Sequence, residues 1–400
     1  LVTSKNILYF IPGLTRSYGG IFQYTFTILQ MLKDMDRVKI YVFSEQVLPE
    51  LDQLSSECDN IYRIPINECL DQGLAFQVNR VKRKLNEVIF GTDGSKGFKL
   101  NFAVNKAIRK YNIDLVHTPF ELMPIQKDVP VLATIHDLQE RHFPEYFNAA
   151  ELAKRAMIKQ DIANRSAGIV CSFEHVKKDI VGILGASEEN VHVCLPSMEG
   201  LWFKDYKGTD LKPMNFAKPF ILYPAATWKH KNHVCLLKAV ARSMEEHAQD
   251  FKLICTGALT PYYKEIQSLM LELELGDDQV EFRGVVSEEE LFSLYMHCQA
   301  VVVPTKYEAG SFPLIESIFL ERPVICSDVT SLPETIGDTR FTFDPDDVQA
   351  LADLIHVLMT DADYLKAAVE NSKSMQERLR APGTAEKIKE IYFNLSCWAD

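Results

Sequence analysis

Short apolar runs alternate with stretches of helical period along most of this chain. NILYFI (6–11), VKIYVF (38–43), IYRIP (61–65), DLVHTP (114–119), PVLATI (130–135), AGIVCS (167–172) and VHVCL (191–195) read as strands in the first half. PFILYP (219–224), FKLICTG (251–257), VEFRG (280–284), QAVVVP (299–304) and RPVICS (322–327) do so in the second. Helical stretches separate them at about 20–34, 150–165, 232–247, 261–275, 287–298 and 362–380. The strands are near-continuous in Val, Ile and Leu rather than alternating, which predicts parallel sheets covered by helices on both faces. The alternation pauses once, at 196–218, where Pro, Gly, Lys and Asp collect without a period. The fold class expected is therefore α/β with two Rossmann-like domains: 1–198, a linker over 199–218, and 219–382. A last segment, 383–400, is a C-terminal helix that can pack back on the first domain. Ligands of such sheets bind beyond the carboxyl ends of the strands, so the cleft of a two-domain protein is the expected site.

Four hundred residues exceed what one core organises, in keeping with two domains. No apolar run approaches the roughly 18 residues of a membrane span, and LVTSKN lacks the anatomy of a signal peptide, so a cytoplasmic chain is expected. Nine scattered cysteines without a C-x-x-C pair point to neither a disulfide framework nor a zinc site. The net charge of −12 sits almost wholly in residues 201–400 and argues against a nucleic-acid partner. The near-neutral first half hides a basic block, with nine Lys or Arg between Arg80 and Lys110 against Glu87 and Asp93. It suits peripheral contact with an anionic membrane at its inner face or a phosphate-bearing acceptor, or else it is a solvated helix face.

The most informative chemistry lies in PTKYEAGSFPLIESIF (304–319). Gly310 and Ser311 are small enough to bring backbone N–H groups near a ligand, and the helix opening at Pro313 offers an anion site suited to a diphosphate. Glu308 and Glu316 bracket it, one at the strand's carboxyl end and one expected in the first helical turn. Carboxylates repel phosphate, so they fit as acceptors for sugar and ribose hydroxyls. Taken alone, Glu316 is also what a helix dipole favours. In WKHKNH (228–233), Lys229, His230 and Lys231 crowd a helix N-terminus, where cations are unfavourable unless they hold an anion. Lys231 is the choice for a phosphate, while Lys229 or His230 can simply face solvent. In the first half Gly19-Gly20 lies between strand and helix but does not make a dinucleotide fingerprint. His136 and Asp137 follow a strand's carboxyl end, in a place that favours function over a structural histidine. No metal cluster stands out.

The Glu308-to-Glu316 spacing resembles the E-x7-E motif of retaining glycosyltransferases of family 4, which have the two-domain GT-B fold. The resemblance runs over nearly the whole chain, through Gly19-Gly20, TIHD (134–137), CSFEHVKKDI (171–180), WKHKNH, TGAL (256–259) and SDVTSLPETIGD (327–338). It implies transfer of a hexose from GDP-mannose or a UDP-sugar to a glycan or lipid-linked acceptor, by front-side displacement without a metal or other cofactor. It also implies roles. Glu308 and His136 would serve at the reacting centre, and Glu316 would hold the ribose. Lys231, His230, Gly257, Gly310, Ser311 and Phe312 would bind the donor, and Gly20 would approach its phosphate from the other domain. Two departures stand out. The loop reads Glu308-Ala309-Gly310-Ser311 where many members have E-G-F-G, and Ala226 replaces an Arg, leaving His230, Lys229 or Arg283 to substitute. WKHKNH with EAGSFP marks a variant subgroup. The alternatives are a GT-B nucleotide-sugar epimerase, which the E-x7-E loop disfavours, and a non-catalytic sugar-binding module, a kind usually exported.

Overall fold

A computed structural model describes residues 4–16, 20–64, 94–126, 128–198, 202–206 and 216–396. The chain divides into two compact units, residues 1–197 with 383–400, and residues 198–382. Each is built on one wholly parallel sheet.

In unit 1 the strands are β1 (Lys5–Phe10), β2 (Val38–Phe43), β3 (Ile61–Ile64), β4 (Leu115–Thr118), β5 (Val131–Thr134), β6 (Gly168–Cys171) and β7 (Val191–Val193). Their order is β3-β2-β1-β4-β5-β6-β7, so the winding reverses between β1 and β4. Central β1 places Leu8 beside Tyr41 on one flank and Val116 on the other. The helix Thr384–Leu395 buries Ile388, Ile391, Tyr392 and Leu395 in the same core as Ile7, Tyr9 and Leu29. There the Tyr392 hydroxyl meets His117 Nδ1 at 2.7 Å, which makes His117 a packed core residue.

Unit 2 contains β8 (Phe220–Pro224), β9 (Lys252–Thr256), β10 (Val280–Phe282), β11 (Ala300–Val303), β12 (Val324–Ser327) and β13 (Thr342–Phe343), in the order β10-β9-β8-β11-β12-β13. The reversal here falls between β8 and β11. β8, β9, β11 and β12 are apolar and buried almost throughout, as their continuous Val/Ile/Leu runs require, while the edge strands β10 and β13 are only partly buried.

The described residues of 199–218 all belong to unit 2. Trp202–Tyr206 is a 3-10 turn, Phe216 packs on Phe220 and His297, and Lys218 pairs with Asp250 and Asp278. The described part of this stretch is held by single large side chains rather than by a repeating face. Helices over Pro49–Glu57, Gly94–Lys110, Glu174–Leu184 and Val348–Thr360 add to those expected. The seven described cysteines are free and buried. Among the described residues no helix is long and apolar enough to cross a membrane. Arg80, Lys82, Arg83 and Lys84 of the basic block lie outside them.

Candidate active site

Where a parallel sheet reverses its winding, the loops leaving the two central strands diverge and open a crevice at their carboxyl ends. In unit 2 those loops are 225–232 after β8 and 304–311 after β11, and they carry Lys231 and Glu308. Backbone and side-chain bonds zip them together. The His230 carbonyl accepts from the Lys306 N–H at 2.8 Å and the Thr305 hydroxyl at 3.0 Å. Asn232 adopts the left-handed conformation (φ 58°) that ends the Lys229–Lys231 turn, and its buried amide donates to the carbonyls of Pro304 (2.9 Å) and Pro345 (2.8 Å). The Tyr223 hydroxyl fixes the Lys231 carbonyl at 2.9 Å.

Lys231 and Glu308 thus become partners, Nζ to Oε1 at 2.6 Å, with side chains 18% and 5% exposed. The Glu308 backbone is held by Thr330 and Ser331, whose hydroxyls respectively accept from its N–H at 3.3 Å and donate to its carbonyl at 3.1 Å. Next comes the helix Phe312–Phe319, with Ser311 at its N-cap. The Ser311 hydroxyl is buried and without a protein partner. The first N–H groups of a helix lack intrahelical acceptors, so this end offers amide donors and a hydroxyl three residues on from Glu308. Gly310 and Phe312 flank the cap, half-buried.

Glu316 sits in the second turn of that helix, not the first, because the helix opens at Phe312. It is buried, and both oxygens have a neutral donor: Trp202 Nε1–H on Oε1 at 2.7 Å and the Tyr295 hydroxyl on Oε2 at 2.6 Å. Burial pushes its carboxyl up to about 7, against the opposing pull of these two bonds. Neither partner stands out by spacing. Trp202 falls in the aperiodic stretch, where a lone Trp-Phe pair was the available signal, and Tyr295 reads as a helix core position.

Gly257 ends β9 with φ +115°, and its N–H donates to the Gly284 carbonyl at 2.7 Å. A Cβ there would lie 2.7 Å from the backbone of Ala225 and Ala226, so the glycine lets the β8 loop pass. Arg283, a candidate for the charge missing at Ala226, is held by Glu281 (2.9 Å) and Glu290 (3.0 Å).

In unit 1 the reversal lies between β1 and β4. Gly20 opens the Gly20–Met31 helix and is exposed, while Gly19 lies outside the described residues. His136 follows β5, its ring edge-on to Tyr24 with centroids 4.8 Å apart. Burial lowers its pKa to about 4, and the ring bonds to the Pro119 carbonyl. Because Nε2 is the buried nitrogen without a partner, Nδ1–H donates to Pro119 and Nε2 is left as an acceptor. Beside it lies an ionic cluster that sequence patterning did not reveal. Lys159, 1% exposed, reaches Glu140 (2.8 Å), Asp137 (3.2 Å) and Glu121 (3.4 Å). Burial and the neighbouring carboxylates leave Glu121 at about 7, although Lys159 opposes them. Burial would raise Asp137 too, but Lys159 and the Gln139 N–H hold it below its usual range.

Metal-ligand atoms of Glu246, His247 and Asp353 come within 4.8 Å of one another. The two carboxylates already accept from the Gln349 amide, and the group lies at the far end of the His233–His247 helix from Lys231. That is about 20 Å along the axis.

Residues 18–196 match the family model for Glycosyltransferase Family 4, and residues 212–375 match that for Glycosyl transferases group 1. The chain belongs to the family-4 type of GT-B glycosyltransferases. This glycosyltransferase is 25% identical over 284 residues to the O-antigen chain mannosyltransferase RfbU of Salmonella typhimurium, covering 67% of this chain and 76% of that one. It is 31% identical over 144 residues to the O-antigen chain mannosyltransferase B of Escherichia coli, covering 36% and 37%. It is also 26% identical over 274 residues to the serotype-specific mannosyltransferase WbdA of Escherichia coli, covering 67% of this chain but 32% of that much longer one. Its fold is that of sucrose-phosphate synthase from Thermosynechococcus elongatus (TM-score 0.66, 18% identity, 98% and 99% covered). It is likewise that of Anabaena Alr3699/HepE, solved with UDP and glucose (TM-score 0.64, 15% identity, 98% and 100% covered).

Proposed function

We propose that this glycosyltransferase moves a mannosyl residue from GDP-mannose to a glycan or lipid-linked acceptor, with retention at the anomeric carbon and without a metal. The observations that carry a diphosphate-sugar donor are the Lys231–Glu308 pair and, three residues on from Glu308, the partnerless Ser311 hydroxyl at a helix N-terminus. An ammonium, a hydroxyl and helix amides meet the charge that grows on a departing diphosphate, preorganised and sheltered from water. Glu308 fits the other role, accepting a donor-sugar hydroxyl while it neutralises Lys231 in the absence of ligand. His136 is neutral at pH 7 and offers Nε2 to a hydroxyl rather than a charge to phosphate. Glu316 fits the ribose, and Gly20 offers close backbone approach at a helix start. In a front-side displacement the acceptor oxygen bonds the anomeric carbon on the face the diphosphate leaves, and the departing phosphate oxygen takes the acceptor's proton. No protein base is needed for that step.

The mannosyl assignment draws on the mannosyltransferases RfbU, WbdA and mannosyltransferase B. The basic block at 80–110 suits anchorage to an anionic membrane on the cytoplasmic side, where a lipid-linked acceptor would be met. The test is incubation of 13C-labelled GDP-mannose with lipid-linked oligosaccharide acceptors in EDTA, reading the anomeric configuration of the product by NMR. An α-linked mannoside formed in EDTA supports the proposal. A β-linked product, or activity that needs added Mg²⁺, contradicts it.

A further inference from the structure

Glu316 is an unusual buried carboxylate. No cation pairs with it among the described residues; its two partners are the neutral donors Trp202 and Tyr295, one on each oxygen. A carboxylate has about four acceptor positions. One on each oxygen is filled, and one on each remains, which matches a pair of neighbouring hydroxyls. The filled positions fix the plane in which the open ones point.

Trp202 is itself fixed. Its ring meets Phe203 and Tyr206 edge-on, with centroids 5.6 and 6.0 Å apart, and Tyr206 packs on Phe292 at 5.8 Å. Phe292 and Tyr295 share the helix Glu288–His297 and are both buried, so one helix supports both donors to Glu316. The indole is therefore held by two aromatic rings, one of them backed by Phe292, while its single N–H is spent on one oxygen.

We propose that Trp202 is a positioning residue for the nucleotide's ribose: its indole N–H orients Glu316 so that the carboxylate presents its open acceptor positions to the 2′ and 3′ hydroxyls. This deepens the donor reading above and rests on it. The stretch joining the two units thereby supplies part of the nucleotide site, and Trp202 acts through Glu316 without touching the reacting atoms.

The test is isothermal calorimetry of the full chain with GDP against 2′,3′-dideoxy-GDP, and UDP against 2′,3′-dideoxy-UDP, for the wild type, Trp202→Phe and Tyr295→Phe. The wild type is expected to favour the ribonucleotide by about tenfold, the value of a hydrogen bond to a charged acceptor. Trp202→Phe keeps the ring contacts and loses only the N–H. It is expected to bind the ribonucleotide more weakly, to bind the dideoxynucleotide unchanged, and to lose most of the discrimination. A merely structural role would weaken both ligands alike. Equal discrimination in wild type and Trp202→Phe overturns the assignment. Tighter ribonucleotide binding by Trp202→Phe also overturns it, because the indole would then be blocking the carboxylate. If the wild type binds no nucleotide, the donor reading fails and takes this inference with it, an outcome distinct from the other two.

A second measurement uses the folded wild type alone, through 15N-indole spectra assigned with Trp228→Phe and Trp398→Phe. The Trp202 indole N–H is expected to exchange slowly with solvent and to stay protected when GDP is added. Loss of protection on binding contradicts positioning.

Discussion

Glu316 carries a stability cost that the proposed ribose contact would explain. Its carboxyl titrates near 4.5 in an unfolded chain and at about 7 when folded. Below pH 4.5 both states are protonated and the group contributes nothing. Between 4.5 and 7 only the unfolded state ionises, so stability falls, and above 7 the full cost is present. Glu316→Gln is expected to stabilise unit 2 by on the order of 3 kcal/mol at pH 8 and by nothing near pH 4, in chemical denaturation at the two pH values. The same variant is expected to lose nucleotide binding, whereas the wild type binds more weakly below pH 7 as Glu316 protonates. Lys231→Ala should behave in the opposite sense, destabilising by about 3 kcal/mol because it strands a buried Glu308. The double variant Lys231→Ala/Glu308→Ala should recover part of that loss, and strict additivity in a double-mutant cycle would refute the pairing. Glu308, Glu316 and Lys231 were legible in the sequence because each sits at a fixed offset from a strand end. Their partners were not. Trp202 reaches Glu316 across 114 positions, and Lys159 gathers carboxylates from two segments, 121 and 137–140, that lie 19 to 38 positions away, so spacing along the chain carried no trace of either.

The strands were legible for a simple reason: the central ones, buried on both faces, spell continuous apolar runs, and the twelve strand candidates became β1 to β12. β13 is two residues long and has no pattern to show. Helices were read where polar and apolar positions alternate cleanly. Val348–Thr360 is apolar over much of its length and Gly94–Lys110 begins with two glycines in four residues, so both escaped. At this scale Gly257 gives the sharpest prediction, since its Cβ would strike the backbone that leads to the Lys229–Lys231 turn. Gly257→Ala should cost about 3 kcal/mol and shift the loop enough to weaken GDP binding. Gly284→Ala also has a positive φ, +67°, but meets nothing within 4 Å, so it should cost only about 1 kcal/mol and leave binding intact. Denaturation and calorimetry on the two variants distinguish steric obstruction from backbone strain alone.

At the scale of the molecule, both sheets place candidate residues at the carboxyl edge, Lys231 and Glu308 beside the strand-order reversal of unit 2 and His136 after β5, the strand next to β4, in unit 1; the carboxyl edge is where this class of sheet binds ligands. Unit 1 is discontinuous, completed by the final helix through Ile388, Ile391, Tyr392 and Leu395. Removal of 383–400 should therefore cost unit 1 more than about 5 kcal/mol, from four lost apolar side chains and the unpaired His117. Calorimetric scans should show one transition falling while that of unit 2 stays in place; a matched fall in both would mean that the units unfold as one. The central claim is that unit 2 binds a nucleotide-diphosphate sugar through Lys231, Ser311 and Glu316. The most direct test is thermal unfolding in EDTA with GDP, UDP, GDP-mannose and UDP-glucose, for the wild type and Glu316→Gln. At 100 times its dissociation constant a ligand adds about 2.7 kcal/mol. The account predicts a clear rise with one base, largest for its sugar conjugate, and no rise in Glu316→Gln. A wild type indifferent to all four, or an equal rise in the variant, would contradict it.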